Sequence, residues 1–97
     1  MNKIKLGLIG VGKWGVNYIK TVKEIDYIDL NYVTSNKNIS KNLLNNDCKV
    51  ENDWKKIVSS KKIDGIIIAT PPHTHYEILM ECINLKIPVL IEKPFVF

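Results

Sequence analysis

Cysteine is scarce in this chain of 97 residues, and its two thiols, Cys48 and Cys82, have no C-x-x-C partner and no histidine at metal spacing. That excludes a disulfide scaffold and leaves them as reduced, incidental thiols, with no metal site expected. Long apolar runs are lacking as well: none approaches the ~20 residues needed to span a bilayer. Met1-Asn2-Lys3 leads directly into the first apolar segment, without the h-region of a signal peptide. A soluble, cytoplasmic protein with no membrane partner is the expectation. Basic clusters are also missing. The net charge of +4 invites a polyanion reading, but the lysines are scattered, and the densest pairs, Lys55-Lys56 and Lys61-Lys62, flank a short amphipathic segment whose solvated face they make. No nucleic-acid partner is expected. No internal repeat or low-complexity linker interrupts the chain.

What is present fits one compact domain over residues 1–97, since 45% of them are hydrophobic and the length leaves no room for two cores. The most informative segment is Gly10-Val-Gly12-Lys-Trp-Gly15. It follows the apolar run Ile4, Leu6, Leu8, Ile9 and precedes Trp14 to Ile25, where Tyr18, Ile19, Val22 and Ile25 fall at helical spacing. Strand, glycine turn and helix in that order are what a dinucleotide-binding βαβ unit requires. The first Gly turns the strand sharply, the second lets the backbone approach a pyrophosphate, and the third lets the helix pack on the sheet. Amides at the helix N-terminus then face the phosphates. A tight strand-to-helix connection with no ligand is the competing reading.

Further along, Tyr27 to Ser35 alternates and is rich in β-formers, so it predicts a second strand beside the first. Asn36 to Asn46 is polar, with Ser40 able to cap a short helix carrying Leu43 and Leu44. A brief strand is expected at Cys48 to Glu51. Asp53 then caps a helix from Trp54 to Ser59 that buries Trp54, Ile57 and Val58, Trp54 as core rather than ligand. Ile63 to Ala69 is β-branched on both faces, as a central parallel strand should be. Thr70-Pro71-Pro72 stops it. A helix from Thr74 to Leu85 places Ile78, Leu79, Cys82 and Ile83 on one side, and Pro88 to Ile91 forms the last strand. The alternation selects an α/β class, a doubly wound parallel sheet with right-handed crossovers, and the glycine turn after its first strand makes it a Rossmann-type dinucleotide-binding domain. In such sheets ligands sit outside the carboxyl ends of the strands. The glycine turn, Thr70-Pro71-Pro72 and Glu92-Lys93-Pro94 should therefore be neighbours in space.

Those three motifs, together with Ala69-Thr-Pro-Pro-His-Thr-His75 and Val89-Leu-Ile-Glu-Lys-Pro94 read whole, resemble the cofactor-binding half of the glucose-fructose oxidoreductase and inositol dehydrogenase family. The resemblance spans almost the whole chain. It implies an oxidoreductase that moves a hydride between NAD or NADP and a hydroxyl or keto carbon of a sugar, cyclitol or nucleotide-sugar. By position, it implies that Gly10, Gly12 and Gly15, with backbone amides near Lys13 and Trp14, hold the pyrophosphate. Ala69, Thr70 and Pro71 border the dinucleotide. His75 matches a histidine of the following helix, either toward the site or bonded to a neighbouring loop. Lys93, beside Glu92, matches the lysine next to nicotinamide and substrate and is the catalytic candidate; the pair also reads as a solvated strand end. A positioned base, or a cation that stabilises a developing alkoxide, is what hydride removal from a carbinol needs.

Two departures matter. The acidic residue that binds the adenosine ribose of NAD is expected near the end of the second strand, which here reads Thr34-Ser35-Asn36-Lys37. Without a carboxylate, Ser35, Asn36 and Lys37 can meet a 2'-phosphate, which favours NADP; NAD stays open because Ser and Asn also bond plain ribose. The resemblance also implies a C-terminal domain with the substrate pocket, a further acid/base residue and a homo-oligomer interface, none of it in these 97 residues. The expectation is a fragment that binds cofactor weakly and turns over nothing alone. The alternative is a stand-alone nucleotide- or CoA-binding regulatory module in which Lys93 has no chemistry.

Overall fold

Five short apolar runs become five parallel strands in the order β3-β2-β1-β4-β5 in the computed structural model. It describes residues 3–10, 13–34, 44, 48–60, 62–70 and 72–91, with the backbone alone for Lys13, Trp14 and Pro72. In chain order these are β1 (Ile4–Ile9), α1 (Lys13–Lys23), β2 (Ile28–Thr34), β3 (Lys49–Glu51), α2 (Trp54–Val58), β4 (Gly65–Ile68), a 3-10 turn (Pro72–Thr74), α3 (His75–Asn84) and β5 (Val89–Ile91). The strand order reverses direction between β1 and β4, which is where a doubly wound sheet opens its crevice.

Apolar layers cover both faces. On one, Leu8, Leu30, Val33 and Ile67 meet Ile19 and Val22 of α1; on the other, Ile9, Ile66 and Ile68 meet Ile57 and Val58 of α2 and Ile78 and Cys82 of α3. All four residues of β4 are buried, as its two-faced β-branched sequence requires. Gly7 sets the spacing of the second layer: a Cβ there would stand 2.6 Å from Ile57 Cγ2 and 3.1 Å from Ile66 Cδ1. Asp53 caps α2 as expected, its Oδ1 accepting the amide of Lys55 at 3.0 Å.

The sequence expectations need adjusting. Trp54 is half-buried against the core, whereas Ile57 and Val58 of the same helix are fully within it. Helix α1 stops at Lys23, because Ile25 donates its amide to Val22 in a tightening turn. Strand β4 starts at Gly65 rather than Ile63, since Asp64 is held back by bonds to Lys5: its amide donates to the Lys5 carbonyl at 2.6 Å, and its Oδ2 accepts the Lys5 amide at 2.8 Å. Ile83 is 55% exposed instead of lying in the core, because the buried stripe of α3 is the narrow set His75, Ile78 and Cys82. The pairing of β1 with β2 also contains a bulge: Leu6 opposes Leu30 but Gly7 opposes Tyr32, leaving Asn31 unpaired. Plain alternation would put Leu30 and Tyr32 on one face. The bulge resets the phase, so that Leu30 and Val33 face α1 while Tyr32 packs against the opposite layer, the one that contains Ile57 and Val58. The short helix expected around Ser40 to Leu44 lies outside the described residues except for Leu44.

Candidate dinucleotide-binding site

Three strand ends meet at Gly10. Its φ of +94° is a left-handed conformation that side chains resist, and a Cβ there would sit 2.7 Å from Thr70 Cγ2 and 2.9 Å from the Thr70 nitrogen. Both reasons demand glycine, one for the turn and one for the close approach of the β4 end. The Gly10 amide donates to Thr34 Oγ1 at 2.9 Å, tying the end of β2 to the same point. That amide is therefore spent within the protein, and any anion must take its hydrogen bonds from amides later in the turn.

Those amides belong to the start of α1, which begins at Lys13 with Gly15 buried in its first turn. No acidic side chain sits in that first turn, while Lys20 and Lys23 occupy the last, so the chain compensates the negative end of the helix dipole and leaves the positive end without an acidic side chain in its own first turn. A glycine with no space for a Cβ, followed three residues later by an uncompensated helix start, fits a dinucleotide diphosphate.

The other wall is built from β4 and the start of α3. The β1–β4 ladder runs past Ile9 and Ile68 to a bond from the Ala69 amide to the Ile9 carbonyl, 2.8 Å. Thr70 lies beyond it. Its hydroxyl meets Thr74 Oγ1 at 2.5 Å, which occupies the hydroxyl that would otherwise cap α3. Its carbonyl lies 2.8 Å from His75 Nε2. His75 is 1% exposed, so it reaches the crevice through Thr70 rather than directly. Of the expected site residues, Gly10, Gly15, Ala69, Thr70 and His75 are thus gathered at one end of the sheet, as is the backbone of Lys13 and Trp14. Gly12, Ser35, Asn36, Lys37, Pro71, Glu92 and Lys93 lie outside the described residues. Sequence reasoning missed Thr34 and Thr74, whose hydroxyls reach into this corner; nothing in their local pattern separates them from any strand-end or helix-start threonine.

Hollow size alone would misplace the site. A groove of about 990 Å³ lies at the amino ends of β4 and β5, between Ser59, Asp64, Glu81 and Lys86, and one of about 380 Å³ lies between α1 and the start of β2. Neither touches the strand ends where the bonds converge. Burial pushes both thiols up from their usual 9 to about 11, in Cys82 with help from Glu81. Little of either is thiolate near neutral pH. Among the described residues no group of His, Cys, Asp and Glu is placed to hold a metal ion.

Residues 4–97 match the model of a family described as an oxidoreductase family with an NAD-binding Rossmann fold, GFO_IDH_MocA. The chain belongs to that family. The membership agrees with the resemblance carried by the glycine turn, the Thr70 segment and Glu92-Lys93-Pro94. Among relatives, the rhizopine catabolism protein MocA of Rhizobium meliloti is 28% identical over 95 residues, which is 97% of this chain and 30% of the relative. A provisionally assigned oxidoreductase from Magnetospirillum magnetotacticum superimposes with a TM-score of 0.88 at 39% identity, covering 96% of this chain and 30% of the other. The scyllo-inositol dehydrogenase of Lactobacillus casei, solved with NAD(H) and scyllo-inositol, gives a TM-score of 0.83 at 25% identity, covering 96% of this chain and 28% of the other. The chain thus spans under a third of the length of these relatives.

Proposed function

We propose that this family member is the cofactor-binding domain of a nicotinamide-dependent oxidoreductase acting on a hydroxyl or keto carbon of a sugar, cyclitol or nucleotide-sugar. The observation that carries the reading is Gly10, locked at positive φ against Thr70 and followed at once by an open helix start. The bound nicotinamide would accept or deliver the hydride. The chain's own part is to hold and orient. Backbone amides around Gly12, Lys13, Trp14 and Gly15 receive the diphosphate, and Ala69, Thr70 and Pro71 wall the dinucleotide on the β4 side. Ser35, Asn36 and Lys37 meet the adenosine ribose. With no carboxylate among them to repel a 2'-phosphate, NADP is preferred over NAD. Lys93, next to Glu92 past the end of β5, would hold or take the hydroxyl proton beside the nicotinamide.

The relatives' names support the substrate class: one of them is solved with scyllo-inositol bound. Residues 1–97 are proposed as one dinucleotide-binding domain, with the substrate pocket and a homo-oligomer contact supplied by a further domain, and the partner is a small molecule rather than a nucleic acid. No helix among the described residues is long and apolar enough to cross a membrane, and we place the protein in the cytoplasm.

Thermal unfolding with added nucleotide tests the reading. A ligand that binds only the folded state at a hundredfold excess over its Kd stabilises by about 2.7 kcal/mol. NADP should raise the melting temperature more than NAD at equal concentration. No shift from either at millimolar concentration would reject the cofactor assignment. In the enzyme that contains the substrate domain, Lys93→Ala should leave cofactor affinity nearly intact and lower turnover by about a hundredfold or more. Unchanged turnover would leave a binding module without chemistry.

A further inference from the structure

We propose that His75 is a positioning residue for the dinucleotide: its Nε2–H holds the Thr70 carbonyl and so fixes the wall against which the Gly10 turn closes. The inference rests on the cofactor reading above.

The chemistry fixes the tautomer. A carbonyl oxygen only accepts, so at 2.8 Å the imidazole nitrogen facing Thr70 must carry the proton. In the neutral ring the other nitrogen, Nδ1, is then a bare acceptor. It is buried and has no hydrogen-bond partner among the described residues. An unmade bond of this kind lowers stability, and an apolar side chain of similar size would avoid it. Packing alone thus gives no reason for a histidine at a position that is 1% exposed between the end of β4 and α3. The bond to Thr70 does.

Thr70 matters because it lies past the last ladder pair among the described residues. Among the described residues, the pairing of β4 with β5 reaches Ile68 opposite Ile91, and that with β1 reaches the Ala69 amide. Beyond this, two ties from the start of α3 hold Thr70, the Thr74 hydroxyl and the His75 imidazole. The Thr70 nitrogen stands 2.9 Å from the point a Gly10 Cβ would occupy, so any movement of Thr70 changes the width of the crevice at the glycine turn. His75 acts on a ligand it does not touch.

The test is a substitution series in this chain, read by titration with NADP and NAD and by melting without ligand. Glutamine can place an amide N–H near the Nε2 position, asparagine only near Nδ1, and leucine offers no donor. His75→Gln should bind within about twofold of the parent, whereas His75→Asn and His75→Leu should bind about tenfold more weakly, with unliganded melting temperatures that do not follow the same order. Nitrogen-15 NMR of the unliganded chain should show His75 protonated at Nε2. Equal affinity across the series, affinity that tracks apolar character with leucine best, or a proton on Nδ1 would overturn the proposal. If His75→Leu does not fold, the two amides carry the comparison alone. A parent that binds neither nucleotide while showing the Nε2–H tautomer would reject the cofactor reading, and the positioning role with it; a parent that binds while the series does not discriminate rejects the positioning role only.

Discussion

Hydrogen bonds of 2.8–2.9 Å tie both ends of the sheet, yet those at one end are buried and those at the other stand in water. At the carboxyl end, Gly10 donates to Thr34 Oγ1 at 2.9 Å and His75 Nε2 to the Thr70 carbonyl at 2.8 Å, with Thr34 9% and His75 1% exposed. At the amino end, the Lys5 backbone amide donates to Asp64 Oδ2 at 2.8 Å and the Lys3 ammonium to Asp29 Oδ1 at 3.4 Å, with Lys3, Lys5 and Asp64 exposed and Asp29 half-exposed. A bond that water can replace is worth little; one that leaves a buried partner unsatisfied when broken is worth more. Burial, then, and not length, should rank these contacts.

The largest effect that would sharpen this contrast is Gly10→Ala. A methyl group 2.7 Å from Thr70 Cγ2 on a backbone at φ +94° should destabilise the fold by about 3 kcal/mol in denaturant titrations and abolish nucleotide-induced stabilisation. Cys82 asks whether burial or location is the ruler, because it lies near the amino end, where the Ile87 amide donates to its carbonyl, yet is fully buried. Its thiol is pushed up from 9 to about 11, so below pH 9 it is neutral in both states. Between 9 and 11 it ionises only when unfolded, and stability falls as pH rises. The expected loss across that window is about 2 kcal/mol, and it should be missing from the slope of Cys82→Ala. Equal slopes would break the rule. Thr34→Val removes the acceptor for the Gly10 amide while keeping the shape of the side chain; about 1 kcal/mol of stability should go. The smallest change is Lys3→Ala, worth less than about 0.5 kcal/mol because its pairing with Asp29 is half-exposed and screened. A loss comparable to that of Thr34→Val would show the two ends to be alike.

Much of this architecture could be read in the chain. The order of strands and helices, the Asp53 cap and the two-faced burial of Ile66, Ile67 and Ile68 follow from local pattern, because each depends on residues only a few positions apart. The face of Ile83 was not legible, since it depends on how narrow a surface α3 finds at the edge of the sheet. Nor was the bulge at Asn31, which answers to the register of a neighbouring strand and not to its own composition. At the site, the glycine turn announces itself through φ and the exclusion of a Cβ. Thr34 and Thr74 do not, because a hydroxyl's partner is chosen by tertiary approach between segments far apart in sequence.

Asn31 gives β2 one amino acid more than β1 needs. Its amide side chain spans outward to the Lys62 carbonyl at 3.4 Å, a contact open to water. The strand therefore contains a spare link. Excising Asn31 alone would leave Leu30, Tyr32, Val33 and Thr34 facing the neighbours they face now, whereas excising Tyr32 would slide a carboxamide into an oily layer. Among the described strand pairings, this is a place where the protein can lose a codon and keep its geometry.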